Sequence, residues 1–549
     1  DAYLTAVDVN SNIRSTLVFS SEIAEASTRY AGENDGLNEL REKGRLVNNY
    51  ELAGPGNITQ LARILKPWHF TAALGFDGLP PARGAITKGF PRLRNEYERG
   101  WAAYVRELTK VGPRFQAQFN MAAMVLDALE DKTVRGANVA SLAVPWGGGA
   151  NANEDVGGGY HLVWSRDLYQ VVTAYMALGD TTAANRALDF LFNAQQKSDG
   201  SFPQNSWLDG KRGWGSLQMD EVGYPLILAY QLGRYDKATY DAHIKPAADF
   251  IVRTGPSTPE DRWEEKPGYS PSTIAAEIAG LVCAAEIAKK NSDDASAQLW
   301  LKTADDWQAN VEKWTATTNG KYGDGHYYIR ISEKGEPDGG HPIALNNNAG
   351  TFNENEIVDA GFLELVRLGI KRADDPLIIK SLAVIDQVLK ADTAKGPGFY
   401  RYNHDGYGEM DDGRRWNWDG KYTGKGRLWT LLSGERGEYE LAHMQDQIEF
   451  GVEPRGSVSC AHPDNGYTAA RCYLKNMAAF ANGGLMIPEQ VWDLRQSPTD
   501  PDKEYEPPLR SGEGTGSATP LAWSMAQFIR LAIDLRAGRI LETPKVVAD

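Results

Sequence analysis

The chain holds 549 residues, 42% of them hydrophobic and 24% charged, with a formal net charge of -15. That acidic balance, with no basic run of five or more residues, argues against nucleic acid and anionic membranes as partners, because both are bound through clustered Lys and Arg. The longest uncharged apolar run, Ile278 to Ala285, is too short to cross a bilayer, whereas 15 Trp and 24 Tyr supply many flat rings for stacking.

Taken in chain order, residues 1–90 read as β-rich. Short β-branched or aromatic segments, Tyr3 to Val9, Ser15 to Phe19 and His69 to Phe76, are separated by Gly, Asn and Pro clusters. Apolar residues at helical spacing, Trp101, Tyr104, Val105 and Leu108, then predict a linker helix within 91–112. From residue 113 to 549 the apolar period is near 3.6. Helices are predicted near 114–131, 166–179, 181–197, 218–233, 236–254, 272–289, 294–315, 355–369, 374–390, 427–449, 468–482 and 519–537. Tight turns such as Gly179-Asp180, Gly233-Arg234 and Gly369-Ile370 alternate with long loops. That alternation predicts a mainly α fold in which six helical hairpins form a ring, an (α/α)6 barrel with its long loops gathered at one end. One β-hairpin is predicted among the helices, between Asn319 and Ile331.

Three cysteines make neither a disulfide framework nor a zinc site. Cys283 sits in an apolar helix as a buried, inert thiol. Cys460 and Cys472 fit either free thiols or one local disulfide, and the bridged form would imply an oxidising compartment. The chain begins at Asp1 without a signal-peptide pattern. The expected location is secreted or periplasmic.

Five long loops combine Trp or Tyr with Asp, Glu or Arg, and function on a rigid scaffold concentrates in such loops. Rings stack on pyranose faces while carboxylates and guanidinium groups bond hydroxyls, so the recurrence points to a glycan, the alternative being aromatic plugs and solubilising charges at the ends of a helical ring. In the loop Arg262-Trp263-Glu264-Glu265, two carboxylates lie beside an indole just before a helix that opens with Ser270 as N-cap and Pro271 as first residue. An adjacent Glu pair alone is an ordinary solvated turn. Beside tryptophan, a carboxyl can be pushed up in pKa, as a general acid near neutrality requires. Asp405, Glu409, Asp411 and Asp412 offer oxygens for a structural calcium ion, or form a solvated loop; their spacing is not that of a calcium loop.

The stretches Tyr160 to Leu168, Gly213 to Glu221, Arg262 to Glu265, Gly268 to Ser272, Gly426 to Arg436 and Pro488 to Val491 resemble, in order, the signature segments of glycoside hydrolase family 15. The bacterial glucoamylases and glucodextranases are the members most similar to this pattern. The resemblance spans about residues 95–540 and implies an (α/α)6 barrel that removes β-glucose from non-reducing ends of α-glucans with inversion. α-1,4 bonds are the expected substrate, with α-1,6 bonds, transglycosylation and glycan binding as alternatives, and no cofactor is required. Position by position it implies Glu264 as acid, Glu265 as a substrate-binding neighbour and Glu489 as base. Glu513 is the rival for the base. It also implies sugar contacts from Tyr160, Trp164, Arg166, Asp167, Trp214, Arg427 and Trp429. Residues 1–90 resemble the last portion of a β-sandwich, which implies that the remainder is either missing from this chain or supplied by a second chain or fragment. The segment Cys460 to Ala479 is extra length that reshapes the pocket rim.

Overall fold

The structure is a computed structural model that describes residues 3–8, 12–30, 36–49, 51–56, 58–65, 68–147, 159–416, 424–449, 460, 465–494 and 508–548. Parts of the first and fourth long loops, and most of the stretch from 450 to 464, lie outside the described residues. Two compact units divide at Glu107 and Leu108.

The first unit holds β1 (Tyr3–Val7), β2 (Arg14–Phe19), β3 (Ile23–Tyr30), α1 (Leu37–Lys43), β4 (Ile58–Ile64), β5 (Ala72–Phe76), α2 (Leu79–Lys88) and α3 (Phe90–Glu107). Strands β1, β2 and β5 form one antiparallel sheet and β3 pairs with β4 in another. Helix α2 packs on the first sheet where Gly75 leaves room: a Cβ there would lie 2.5 Å from the Ala82 nitrogen. The predicted linker helix is α3, shifted toward the N-terminus.

The second unit opens with α4 (Gln116–Leu129), α5 (Ser165–Leu178), α6 (Thr181–Phe190) and α7 (Asp220–Gln231). The single turn α8 (Lys237–Thr239) leads to α9 (Lys245–Thr254), followed by α10 (Pro271–Lys290) and α11 (Asp294–Thr315). Strands β6 (Ala316–Thr317) and β7 (Tyr327–Tyr328) then form the predicted hairpin, and β8 (Pro342–Leu345) and β9 (Gly350–Asn353) form one that the sequence reading lacks. Next come α12 (Leu363–Arg367), α13 (Pro376–Val388), β10 (Lys390–Thr393), β11 (Gly396–Phe399) and β12 (Leu428–Trp429). The chain continues through α14 (Thr430–Glu449), α15 (Gly466–Phe480), β13 (Gln490–Val491) and α16 (Ala522–Ala537).

Packing closes the ring. Helix α5 packs on α7, α7 on α10, α10 on α12, α12 on α14, α14 on α16, and α16 back on α5. Helices α4, α6, α9, α11 and α15 lie outside, against α16, α5, α7, α10 and α14, while α13 stands against β7 and β10. This is the (α/α)6 barrel. Burial distinguishes the layers as an inner ring requires: every residue of α16 from Ala522 to Leu535 is buried, whereas outer α11 buries the stripe Ala297, Trp300, Ala304, Trp307 and Val311. Helix α10 is apolar and long enough to span a membrane, yet it is a core helix, buried almost all round by its neighbours. Its approach to α7 depends on glycine, since a Cβ on Gly223 would meet the Ala276 carbonyl oxygen at 2.4 Å. Cys283 is free and buried in this helix, and Cys460 and Cys472 are bridged.

Helix 355–369 is shorter than predicted. Asp359 pairs with Tyr402 in a β-bridge and the Val358 N–H donates to Asn403 Oδ1 at 2.8 Å, so cross-loop bonds hold this stretch extended until Leu363.

Candidate active site

At one end of the ring, a cavity of about 240 Å³ is lined by both candidate carboxylates, Glu264 and Glu489. Different elements deliver them. Glu264 belongs to the loop between α9 and α10, which is folded around Asp261. The Asp261 carbonyl accepts from the Glu264 N–H at 2.8 Å, and its carboxylate accepts from the Glu265 and Lys266 N–H groups and from Arg330 Nε at 2.7 Å. The turn places Glu264 at φ 65°, a left-handed conformation that costs a non-glycine residue about 1–3 kcal/mol and persists only where its surroundings enforce it. Trp263 is locked beneath it: its Nε1 donates to Asp359 at 2.8 Å, and the Arg262 guanidinium lies 4.4 Å from its ring centre. Helix α10 begins at Pro271 with Ser270 as N-cap, but that hydroxyl meets Ser272 Oγ at 3.0 Å rather than capping a backbone N–H.

Glu489 comes from a sheet with the order β10-β11-β12-β13. Trp429 on β12 pairs with Gln490 on β13, Thr430 N donates to the Glu489 carbonyl, and the Glu489 N–H donates to Ala518 O at 2.8 Å. Backbone bonds therefore fix this residue on both sides. Its Oε1 accepts from the Tyr160 hydroxyl at 2.6 Å, and Tyr160 and Tyr407 share another bond at 2.6 Å. Oε2 has no partner among the described residues, leaving a lone pair for a proton.

Burial pushes both carboxyls up in pKa. For Glu264 the rise is opposed by Arg166, whose Nη1 is 3.7 Å from Oε1, and by Gln204, which donates to Oε2 at 2.8 Å. For Glu489 burial reaches about 8, opposed by the Tyr160 hydrogen bond and by Arg401. Each carboxyl is raised by its own burial, and a cavity in which one of the two carries a proton is equipped for acid–base chemistry. The Glu264 side chain keeps some exposure, whereas Glu489 is buried.

Tyr160, Trp164, Arg166, Asp167, Trp214, Glu265 and Trp429 also line the cavity. Arg166 is clamped by Asp220, with Nε–Oδ2 at 2.7 Å, and by Gln218, so the Gly213 to Glu221 stretch acts largely as its support. Asp167 is raised to about 7, by burial first and then by the nearby Glu264 charge against the pull of Arg166. Glu265 spends its oxygens on the protein: Arg330 at 2.9 Å, Arg401 at 3.1 Å and the Tyr402 hydroxyl at 2.5 Å.

Three further readings bear on residues away from the cavity. Arg427 does not line the cavity. It is fully buried behind the wall, paired with Asp493 at 2.6 Å, bonded to the Glu409 carbonyl and stacked on Trp492. The cavity arginine from that loop is Arg401, held by Asp405 at 2.7 and 2.8 Å and by Glu265, with the rings of Trp263, Tyr407 and Trp429 about it. An Arg with an acid four residues on, between tyrosines, was the signal available. The proposed calcium carboxylates do not converge. Asp405 binds Arg401, Glu409 accepts from Trp146 Nε1 and the Gly516 N–H, Asp411 binds Lys425 and Arg427, and Asp412 binds Arg414. Glu513 is exposed and outside the lining, so it does not rival Glu489. Trp523, Trp416, Asn346 and Asn347 line the cavity without having been singled out.

Ring and cavity together define a barrel glycosidase. Residues 116–533 match the model of the family described as glycosyl hydrolases family 15, and the chain belongs to that family. Residues 1–106 match the N domain of glucodextranase. A glucoamylase from Clostridium sp. (strain G0005) is 40% identical over 528 residues, which is 95% of this chain and 68% of that protein. A crystal structure of a bacterial glucoamylase complexed with acarbose superposes with a TM-score of 0.87 at 40% identity, covering 100% of this chain and 74% of that one. The glucoamylase of Saccharomycopsis fibuligera, at 15% identity and TM-score 0.54 over 78% of this chain and 96% of that one, shares the fold.

Proposed function

We propose that the chain is an inverting, exo-acting α-glucan glucohydrolase of the glucoamylase type, releasing β-D-glucose from non-reducing ends, with Glu264 as general acid and Glu489 as general base. The observation that carries this is two pKa-raised carboxyls reaching one cavity from unrelated elements. Inversion needs roughly 6.5–9.5 Å between them, so that a water fits on the face opposite the leaving group. Glu264, the more exposed of the two, protonates the departing glycosidic oxygen. Glu489, with Oε2 free, takes a proton from the water. Arg166, Asp167 and Arg401 bind hydroxyls of the terminal glucose, and Trp214 and Trp429 bound its faces.

The glucoamylase of Clostridium supports α-1,4 bonds as the main substrate. The glucodextranase-type N domain makes α-1,6 bonds the second reading. Comparing kcat/KM on maltose and isomaltose distinguishes them. Proton NMR during the first turnovers tests inversion: β-glucose is expected from maltose, and initial α-glucose would refute it. The acid–base pair works without a cofactor. The disulfide supports a secreted or periplasmic location. Leu74 and Phe76 stand exposed on β5, which supports a second chain or fragment covering that sheet.

A further inference from the structure

We propose that Asn346 and Asn347, at the tip of the β8–β9 hairpin, bind the leaving-group sugar and contribute to the choice of linkage. The inference rests on the glucohydrolase reading above. Strands β8 and β9 pair from Pro342↔Asn353 to Leu345↔Gly350, and the Ala349 N–H donates to the Asn346 carbonyl at 3.2 Å. Asn347 and Asn348 both have φ of 56°, the mark of a type I′ hairpin turn, which asparagine tolerates well. Turn chemistry explains asparagine at 347 and 348. It explains neither Asn346, which precedes the turn's central pair, nor the presence of both Asn346 and Asn347 in the cavity lining. Neither side-chain amide is hydrogen-bonded to protein among the described residues, so each keeps a carbonyl acceptor and an NH2 donor for a ligand.

The tip is firmly held. Phe352 stacks on His404 with ring centres 4.0 Å apart, and Asn347 presses so closely on Gly406 that a Cβ there would lie 2.8 Å from its own. The hairpin thereby rides on the loop that carries Arg401 and Tyr407. Pro342, Ala344, Asn348 and Gly350 are exposed, which puts the hairpin at the open mouth. An exo-acting pocket holds the terminal glucose at its closed end, and the departing chain leaves through the mouth. Free amides placed there meet the second sugar, whose unsubstituted hydroxyls differ between α-1,4 and α-1,6 linkages.

Asn347→Gly removes the amide while preserving the turn, and Asn346→Ala removes the other without touching the left-handed pair. Each is assayed on maltose, isomaltose and α-D-glucosyl fluoride, whose leaving group is no sugar. Losing one sugar hydrogen bond is expected to lower kcat/KM on at least one disaccharide about 3- to 10-fold, unequally for the two, with the fluoride unchanged. An equal loss on all three substrates, or no loss on any, would overturn the assignment. Wild-type protein releasing glucose from none of the three would overturn the glucohydrolase reading itself and this inference with it.

Discussion

The two walls of the cavity solve one problem by different physics. On the side of the proposed acid, a strained loop is held by charge: Asp261 with Arg330, Arg166 with Asp220, and Glu265 with Arg330 and Arg401. On the side of the proposed base, β12 and β13 fix the Glu489 backbone, and a neutral Tyr407–Tyr160 chain reaches its carboxylate. A carboxyl that must give up a proton sits beside a guanidinium that accepts the resulting anion. One that must gain a proton sits in a dry, aromatic setting that raises its affinity for it. On the proposed mechanism, function depends on holding the two environments apart.

The largest expected effect comes from removing either proton carrier. Glu264→Gln and Glu489→Gln should each lower kcat on maltose by about 10² to 10⁴ with the unfolding midpoint kept, the range that general acid–base catalysis supplies. Arg427→Met sharpens the contrast between wall and backing. Deleting one partner of a buried pair costs about 3–5 kcal/mol, because Asp493 is left uncompensated. Denaturant unfolding should show that loss, while KM for maltose in the folded fraction stays near wild type. A rise in KM without lost stability would return Arg427 to the sugar site.

A smaller effect follows from Tyr160→Phe. Its hydroxyl stabilises ionised Glu489, so its loss lets burial push that carboxyl higher still. The base is active when ionised, so activity is gained as pH rises through its pKa. The acidic limb of kcat/KM should accordingly lie above the ordinary carboxylate range in the wild type and move further up in the variant. An unmoved or lowered limb would break the link between Tyr160 and the base.

Most of the barrel was legible because helical period survives in sequence: α5, α10, α11, α13 and α16 lie within about three residues of their predicted bounds, and short and long connections gave the ring. The acid loop was legible as a motif, Trp-Glu-Glu before a Ser-Pro helix start. The base strand was legible only by resemblance, since β12 and β13 are two residues each and carry no period. Arg401, which the sequence did not single out, lines the cavity, and Arg427, which it did, lies behind the wall; both sit among aromatics and acids in one loop. Which of them faces the cavity is decided by the distant partners Glu265 and Asp493, and local sequence does not encode distant partners. The β8–β9 hairpin went unread although Asn-Asn between apolar residues is turn chemistry.

Glu264 as acid and Glu489 as base is tested most directly by comparing the two glutamine variants on maltose and on α-D-glucosyl fluoride. Fluoride departs without being protonated, whereas every substrate needs the attacking water deprotonated. Glu264→Gln should retain hydrolysis of the fluoride while losing maltose, and Glu489→Gln should lose both. The reverse pattern, or equal loss on both substrates by both variants, would contradict the assignment.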